Sequence, residues 1–188
     1  MDAARLRAGL PPFLSFAGVV AVGISLAASP GTDGLFGAFL GLLMLAVAIT
    51  DSRRYVIPNE LTAAALALAL LRAGSLGPDA DWAGAGWAAL RAAAISVPLL
   101  ALMMVYRRWR GRDGLGLGDI KLAAVAGAWL GWTTVFAVME LATLSALGAY
   151  VVNAYLRKRP MKATAFLPFG LFLAPAIWIG WLIEALVG

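Results

Sequence analysis

The chain has 188 residues, of which 62% are hydrophobic and 13% charged, and its mean hydropathy is +0.87. A soluble domain is nearer half apolar and a quarter charged, so this composition excludes a water-soluble protein and indicates an integral membrane protein. The sequence has no Cys and no His, which excludes disulfides, thiol nucleophiles, Ser-His-Asp catalysis and the usual zinc sites; we expect no metal and no other cofactor.

Hydropathy along the chain predicts seven membrane-spanning helices. A crossing needs about 20 apolar residues, with about 17 as the lower limit. Residues 119–156 are too long for one crossing, because they would rise about 57 Å against a hydrocarbon core of about 30 Å. The GWTT stretch at 131–134 therefore predicts a turn between two helices, the first of them short. The predicted spans are 13–29, 34–50, 61–73, 84–106, two within 119–156, and 166–187.

The first and third predicted helices differ from the others at their N-terminal ends. The first apolar run is longer than the core of a signal peptide, and Pro30 directly follows its candidate cleavage junction, so we expect a retained helix. The third span is short, but it gains a first turn from Asn59 and Glu60, and Asn59 after Pro58 suits the N-cap position.

Basic residues are concentrated on one side of the predicted spans. This positive-inside distribution over short loops predicts a cytoplasmic N-terminus and an outward C-terminus, and it explains the basic residues without any nucleic-acid partner. The residues on the basic side are Arg5, Arg7, Arg53, Arg54, Arg107, Arg108, Arg110, Arg112, Lys121, Arg157, Lys158, Arg159 and Lys162.

The same topology puts two acids at the cytoplasmic mouth of the membrane, Asp51 at the end of one helix and Asp119 at the start of another. The helix dipole favours a negative charge at Asp119 and opposes one at Asp51. Two neighbouring carboxyl groups in unlike environments suit acid–base catalysis with one group protonated and the other ionised. Alternatively, both acids are headgroup-level residues at helix ends.

Glycines alternate just before Asp119, at Gly114, Gly116 and Gly118. Glycine leaves no side chain between the backbone and a ligand, so an extended substrate could lie against this segment. The other interpretation is a flexible loop.

These residues resemble the type IV prepilin leader peptidases, a family of intramembrane aspartyl proteases. GLGLGDIKL matches the GxGD-x-K signature, DSRRYVIPNELT is similar to the first catalytic segment, and LPFGLFLAPA is similar to a Pro-Phe-Gly segment near the end. The resemblance implies a catalytic pair, Asp51 and Asp119, and prepilin or pseudopilin substrates cut on the cytoplasmic side. It also implies motif positions at Gly116, Gly118, Pro58, Asn59 and Lys121.

The chain departs from the family in several places. The paired CxxC motifs that accompany N-methylation in many members are absent, so methyltransferase activity is not expected. We expect one peptidase domain over 1–188, with an extra N-terminal helix and turn at 1–33 and the catalytic core at 34–188. Leu171 stands where many relatives have Pro, a difference expected to leave the two aspartates untouched.

The sequence also predicts the orientation or contacts of three further charged side chains. Lys121 points away from Asp119, two residues along the same helix, and is either a headgroup anchor or the partner of another group. Glu140 is expected to be the most buried acid and to hydrogen-bond within the bundle, to orient substrate or to tune the two aspartates. Arg91 is expected to extend outward to the membrane surface.

The sequence as a whole predicts an all-α, multi-pass inner-membrane aspartyl endopeptidase. The competing interpretation is a catalytically silent assembly factor or a small transporter with a peptidase-like fold. A transporter more often has repeated halves, and a silent scaffold would normally have lost one of the two aspartates, whereas both are present.

Overall fold

The structure, a computed structural model, describes residues 12–76, 82–111, 114–158 and 167–187. All regular structure in these ranges is helical, which confirms the predicted all-α fold. The seven helices in the described residues are α1 (Pro12–Ala28), α2 (Thr32–Arg54), α3 (Asn59–Ser75), α4 (Trp82–Arg110), α5 (Leu117–Trp129), α6 (Trp132–Leu156) and α7 (Gly170–Val187).

The helices differ in their capacity to cross a bilayer. In length and composition, α2, α4, α6 and α7 are sufficient to span one. α1 and α3 have 17 residues each, a rise of about 26 Å, which approaches the hydrocarbon thickness. α5 has 13 residues, and its rise of about 20 Å is too short for a full crossing. The protein is therefore a multi-pass membrane protein with one short helix, as the sequence predicted.

The break predicted between the fifth and sixth helices is present, but it lies slightly earlier than expected. Leu130 and Gly131 form the connection, and Trp132 begins α6, so the two threonines of the GWTT stretch belong to the first turn of α6. Gly131 has an extended backbone, and its N–H donates to Glu184 Oε1 at 2.7 Å.

Two predicted starts also shift. The last span was predicted from residue 166, which lies outside the described residues, and α7 begins at Gly170. Pro58 occupies the cap position of α3 and Asn59 is the first helical residue, so the prediction of Asn59 as the N-cap was wrong. The extended φ and ψ of Pro58 suit this position, since the fixed φ of proline is compatible with entry into a helix.

The short helix α5 lies at the centre of the bundle and packs against α3, α4, α6 and α7. Its side chains Leu122 and Val125 are almost fully buried. Around it, α2 packs along α7, while α1 packs against α2 and α7. Gly37 and Gly41 in α2 leave room for the indole rings of Trp181 and Trp178 in α7. This close approach brings the C-terminal end of α2 beside the N-terminal end of α7.

Candidate active site

Asp51 is in the last turn of α2 and is only 5% exposed. Its Oδ2 atom accepts a hydrogen bond of 2.9 Å from the backbone N–H of Leu171, and the N–H of Gly170 also donates to the carboxylate. Both donors are in the first turn of α7, where the helix dipole favours an anion; the N–H of Leu171 is shared with the carbonyl of Pro168 at 3.2 Å. The expectation from the sequence considered only the dipole of α2, so it omitted a second helix end that stabilises a charge on Asp51.

The same contact corrects the expectation for Leu171. The side chain was expected to have no bearing on the aspartates, but the backbone N–H of this residue is a direct hydrogen-bond donor to Asp51. A proline at this position would lack that N–H. The residue type at position 171 therefore bears on the candidate site, and the expectation was wrong.

Asp119 is in the first turn of α5 and is partly buried. Its backbone N–H donates to the carbonyl of Gly116 at 3.1 Å, which closes the first turn of the helix. Gly118, next to Asp119, and Gly170, next to Asp51, both lie against Ile57. The structure thus brings together at one end of the bundle two acids that are far apart in the sequence.

The segment between α2 and α3 lies beside these acids. Tyr55 adopts the left-handed conformation with φ of 55°, and its N–H donates to the carbonyl of Asp51 at 2.9 Å. The chain then turns back, and Ile57 is buried with 8% exposure. A Cβ atom added at Gly118 would lie 3.1 Å from Ile57 Cβ, and one added at Gly170 would lie 2.7 Å from Ile57 Cδ1. Ile57 therefore packs between the N-terminal ends of α5 and α7.

The motif glycines are next to particular side chains. Gly116 has an ordinary extended backbone at the N-cap of α5, so it is not required there for a left-handed conformation. A Cβ at this position would lie 2.9 Å from Asp119 Oδ2. Gly114 lies against the ring of Tyr106. In this structure the glycines at 116 and 118 leave room for Asp119 and Ile57 respectively.

Lys121 has a specific partner in the structure. Its Nζ atom donates to Asn59 Oδ1 at 2.6 Å, which joins the motif helix α5 to the first residue of α3. The sequence left Lys121 as either a headgroup anchor or the partner of another group, and this contact supports the second role. Pro58 and Asn59 also line a cleft of about 350 Å³, whose other lining residues are Thr50, Arg54, Val56, Ile57 and Glu60. The cleft opens beside Ile57 at the same end of the bundle as the acids.

Two expectations about charged side chains were wrong. Glu140 is exposed on the surface of α6 and is not the most buried acid, since Asp51 is buried. Arg91 points inward: its Nε atom donates to the carbonyl of Gly127 at 3.2 Å, and Nη2 donates to that of Ala128 at 3.4 Å. Arg91 thereby satisfies carbonyl groups at the C-terminal end of α5.

Comparison with known proteins identifies the family. The profile of the type IV leader peptidase family matches residues 38–152 of this chain. The chain belongs to the type IV leader peptidase family. It is 34% identical over 170 residues to a prepilin leader peptidase/N-methyltransferase of Escherichia coli strain K12, covering 87% of this chain and 71% of that protein.

Two other members of the family give the same relationship. Leader peptidase HopD of Escherichia coli is 37% identical over 134 residues, which are 70% of this chain and 82% of that protein. A prepilin leader peptidase/N-methyltransferase of Aeromonas hydrophila is 30% identical over 162 residues, which are 86% of this chain and 53% of that protein. The chain thus spans about half the length of its Aeromonas relatives. No solved structure matches this chain.

The structure gives three residues a role at the site that the sequence did not predict, Ile57, Gly170 and Leu171. The family's Pro-Phe-Gly segment ends at Gly170, so that segment was a usable signal for the backbone beside Asp51. Ile57 belongs to the DSRRYVIPNELT segment that resembles the family's first catalytic segment, so that segment was the signal for it, although its packing role was not predicted.

Proposed function

We propose that this chain is an aspartyl endopeptidase that removes leader peptides from type IV prepilins or pseudopilins at the cytoplasmic face of the bacterial inner membrane. Membership of the type IV leader peptidase family, and its relatives among the prepilin leader peptidases, support the peptidase activity and the substrate class. The observation that supports the aspartyl mechanism is that Ile57 lies against both Gly118, next to Asp119, and Gly170, next to Asp51, so that the two acids lie at the same end of the bundle.

The chemistry follows from a carboxyl pair that shares one negative charge. The ionised member takes a proton from water as the water oxygen attacks the scissile carbonyl carbon. The protonated member then donates to the nitrogen of the departing amine as the C–N bond breaks. Because the two groups interact, their titration belongs to the pair. The N–H groups at 170 and 171 fix the orientation of the Asp51 carboxylate, so that less reorganisation is needed during the reaction.

The substrate's apolar helix would lie among the membrane spans, with its cleavage site at the level of the two acids. The cleft beside Ile57 is in position to receive residues on the leader side of the scissile bond, because it opens next to the segment that packs against both helix ends. The basic loops keep this end of the bundle cytoplasmic, with the N-terminus on the same side. We assign residues 1–188 to a single peptidase domain, with residues 34–188 as its catalytic core.

The test is cleavage of a prepilin-like substrate by the purified protein in lipid vesicles. Asp51→Asn and Asp119→Asn keep the side-chain shape and remove the acid, and each is expected to abolish detectable cleavage. Asp33→Asn is the matched control, because Asp33 pairs with Arg72 in a different part of the bundle; it is expected to retain near wild-type activity. Cleavage at the wild-type rate by either active-site variant would refute the aspartyl mechanism.

A further inference from the structure

Glu140 is an acid on the outward face of α6. The side chains that α6 buries are Val135, Val138, Ala142 and Ala146. With about 100° of rotation per residue, Glu140 points to the opposite side of the helix from this buried set. Within the described part of the chain, its carboxyl group makes no hydrogen bond or ion pair.

The position of Glu140 along α6 places this carboxyl group in the hydrocarbon region. It is about 12 Å from the Trp132 end of the helix and about 24 Å from the Leu156 end, at 1.5 Å per residue. Around it the same face is apolar, with Phe136 and Leu144 each 59% exposed. An ionisable side chain surrounded by lipid is costly and is normally found paired within a protein bundle. This surface therefore requires a partner that supplies a hydrogen bond at that depth.

We propose that this face of α6 is a homodimer interface, in which the Glu140 carboxyl group hydrogen-bonds with its counterpart in a second copy of the chain. A carboxyl group carries both a donor and an acceptor when protonated, so it is complementary to itself across a two-fold axis. An axis along the membrane normal places the two Glu140 residues at the same depth. A different partner would instead have to carry its own polar group into the hydrocarbon at that level.

The neighbouring residues on this face allow two helices to approach closely. Ala137 is almost one turn before Glu140, and Gly148 is about two turns after it. A Cβ atom added at Gly148 would meet nothing within 4 Å, so this glycine is not required for packing within one copy. Small residues on a membrane helix let a second backbone come near, and polar side chains then add interhelical hydrogen bonds.

The chain has no cysteine, so single cysteines report proximity between copies directly. Leu144→Cys lies one turn from Glu140, and Leu102→Cys on α4 is the matched control, since the two leucines are 59% and 60% exposed. In the full chain in lipid vesicles, oxidation is expected to give a disulfide-linked dimer at position 144 and only the background level at position 102. Adding Glu140→Leu is expected to weaken dimerisation about tenfold, while Glu140→Gln retains it, because an amide also donates and accepts.

Single-molecule photobleaching of the chain without introduced cysteines, at decreasing protein-to-lipid ratio, measures the same equilibrium independently. Equal cross-linking at 144 and 102, or a dimer fraction that Glu140→Leu leaves unchanged, would overturn the proposal. Cross-linking from position 144 to an added substrate peptide in place of a second copy would also overturn it, and would identify the substrate as the occupant of this face.

Discussion

Gly170 offers a test of how closely the candidate site is packed. It is buried at the start of α7, and a Cβ atom there would lie 2.9 Å from Asp51 Oδ2 and 2.7 Å from Ile57 Cδ1. Since ordinary contacts begin near 3.4 Å, Gly170→Ala requires the carboxylate oxygen to move by about 0.5 Å, a small overpacking of the kind that costs about 1–3 kcal/mol. The isoleucine methyl group can rotate away, whereas the carboxylate is held by the N–H groups of α7.

The expected result of Gly170→Ala is a fall in kcat of about tenfold to hundredfold, because a displacement of up to 1 Å in a catalytic group can cost about 10²-fold. By the relation between rate and barrier, this corresponds to about 1.4–2.7 kcal/mol. The assay is initial-rate cleavage of a prepilin-like substrate in lipid vesicles, with KM determined alongside kcat.

Gly86→Ala is the matched control, since a Cβ at Gly86 meets nothing within 4 Å, and it is expected to leave kcat unchanged. The thermal stability of both variants separates displacement of the carboxylate from loss of the folded state. A Gly170→Ala protein that is folded and cleaves at the wild-type rate would refute the inference that α7 holds Asp51 in a defined orientation.

Two further predictions concern backbone and side-chain contacts near the site. Leu171→Pro removes the N–H donor to Asp51 at a position where the first turn of a helix tolerates proline, so we expect kcat to fall about tenfold. Leu171→Ala keeps the N–H and is expected to retain activity. Equal losses of kcat in the two variants would contradict this prediction. Asn59→Ala and Lys121→Ala should each lower the free energy of unfolding. A double-mutant cycle in mixed micelles should give a coupling energy of about 0.5–1.5 kcal/mol for the hydrogen bond between the two side chains. Strictly additive effects would show that this hydrogen bond contributes nothing to stability.

The helices and their order were predictable because the bilayer imposes a length on each apolar segment. The excess length of 119–156 indicated two helices, and the structure has α5 and α6 there. The common level of Asp51 and Asp119 was also predictable, because both flank apolar runs on the basic side. Hydropathy and charge indicate depth in the membrane, and both the helix order and the level of the two acids depend on that depth.

Rotation of a helix about its own axis was not predictable in the same way. α6 is apolar around most of its circumference, so its sequence does not indicate which face meets α7. That is why Glu140 was assigned to the interior although it lies on the outward face. The hydrogen bond from α7 to Asp51 depends on how α2 and α7 pack, and this packing rests on glycine–tryptophan contacts that have no periodic signal.

The shortness of α5 explains why charged side chains lie at the end of this helix, away from the candidate site. A helix with a rise of about 20 Å that starts at the level of Asp119 ends inside the membrane, where its last carbonyl groups have no water to bond. Arg91 donates to two of those carbonyls, and Glu184 accepts from Gly131 N at 2.7 Å at the start of α6. Arg72 also lies over the ring of Trp129 at 5.6 Å. The partly buried Arg91 and Glu184 thus satisfy the backbone where α5 stops, which accounts for an arginine that hydropathy alone assigned to the membrane surface.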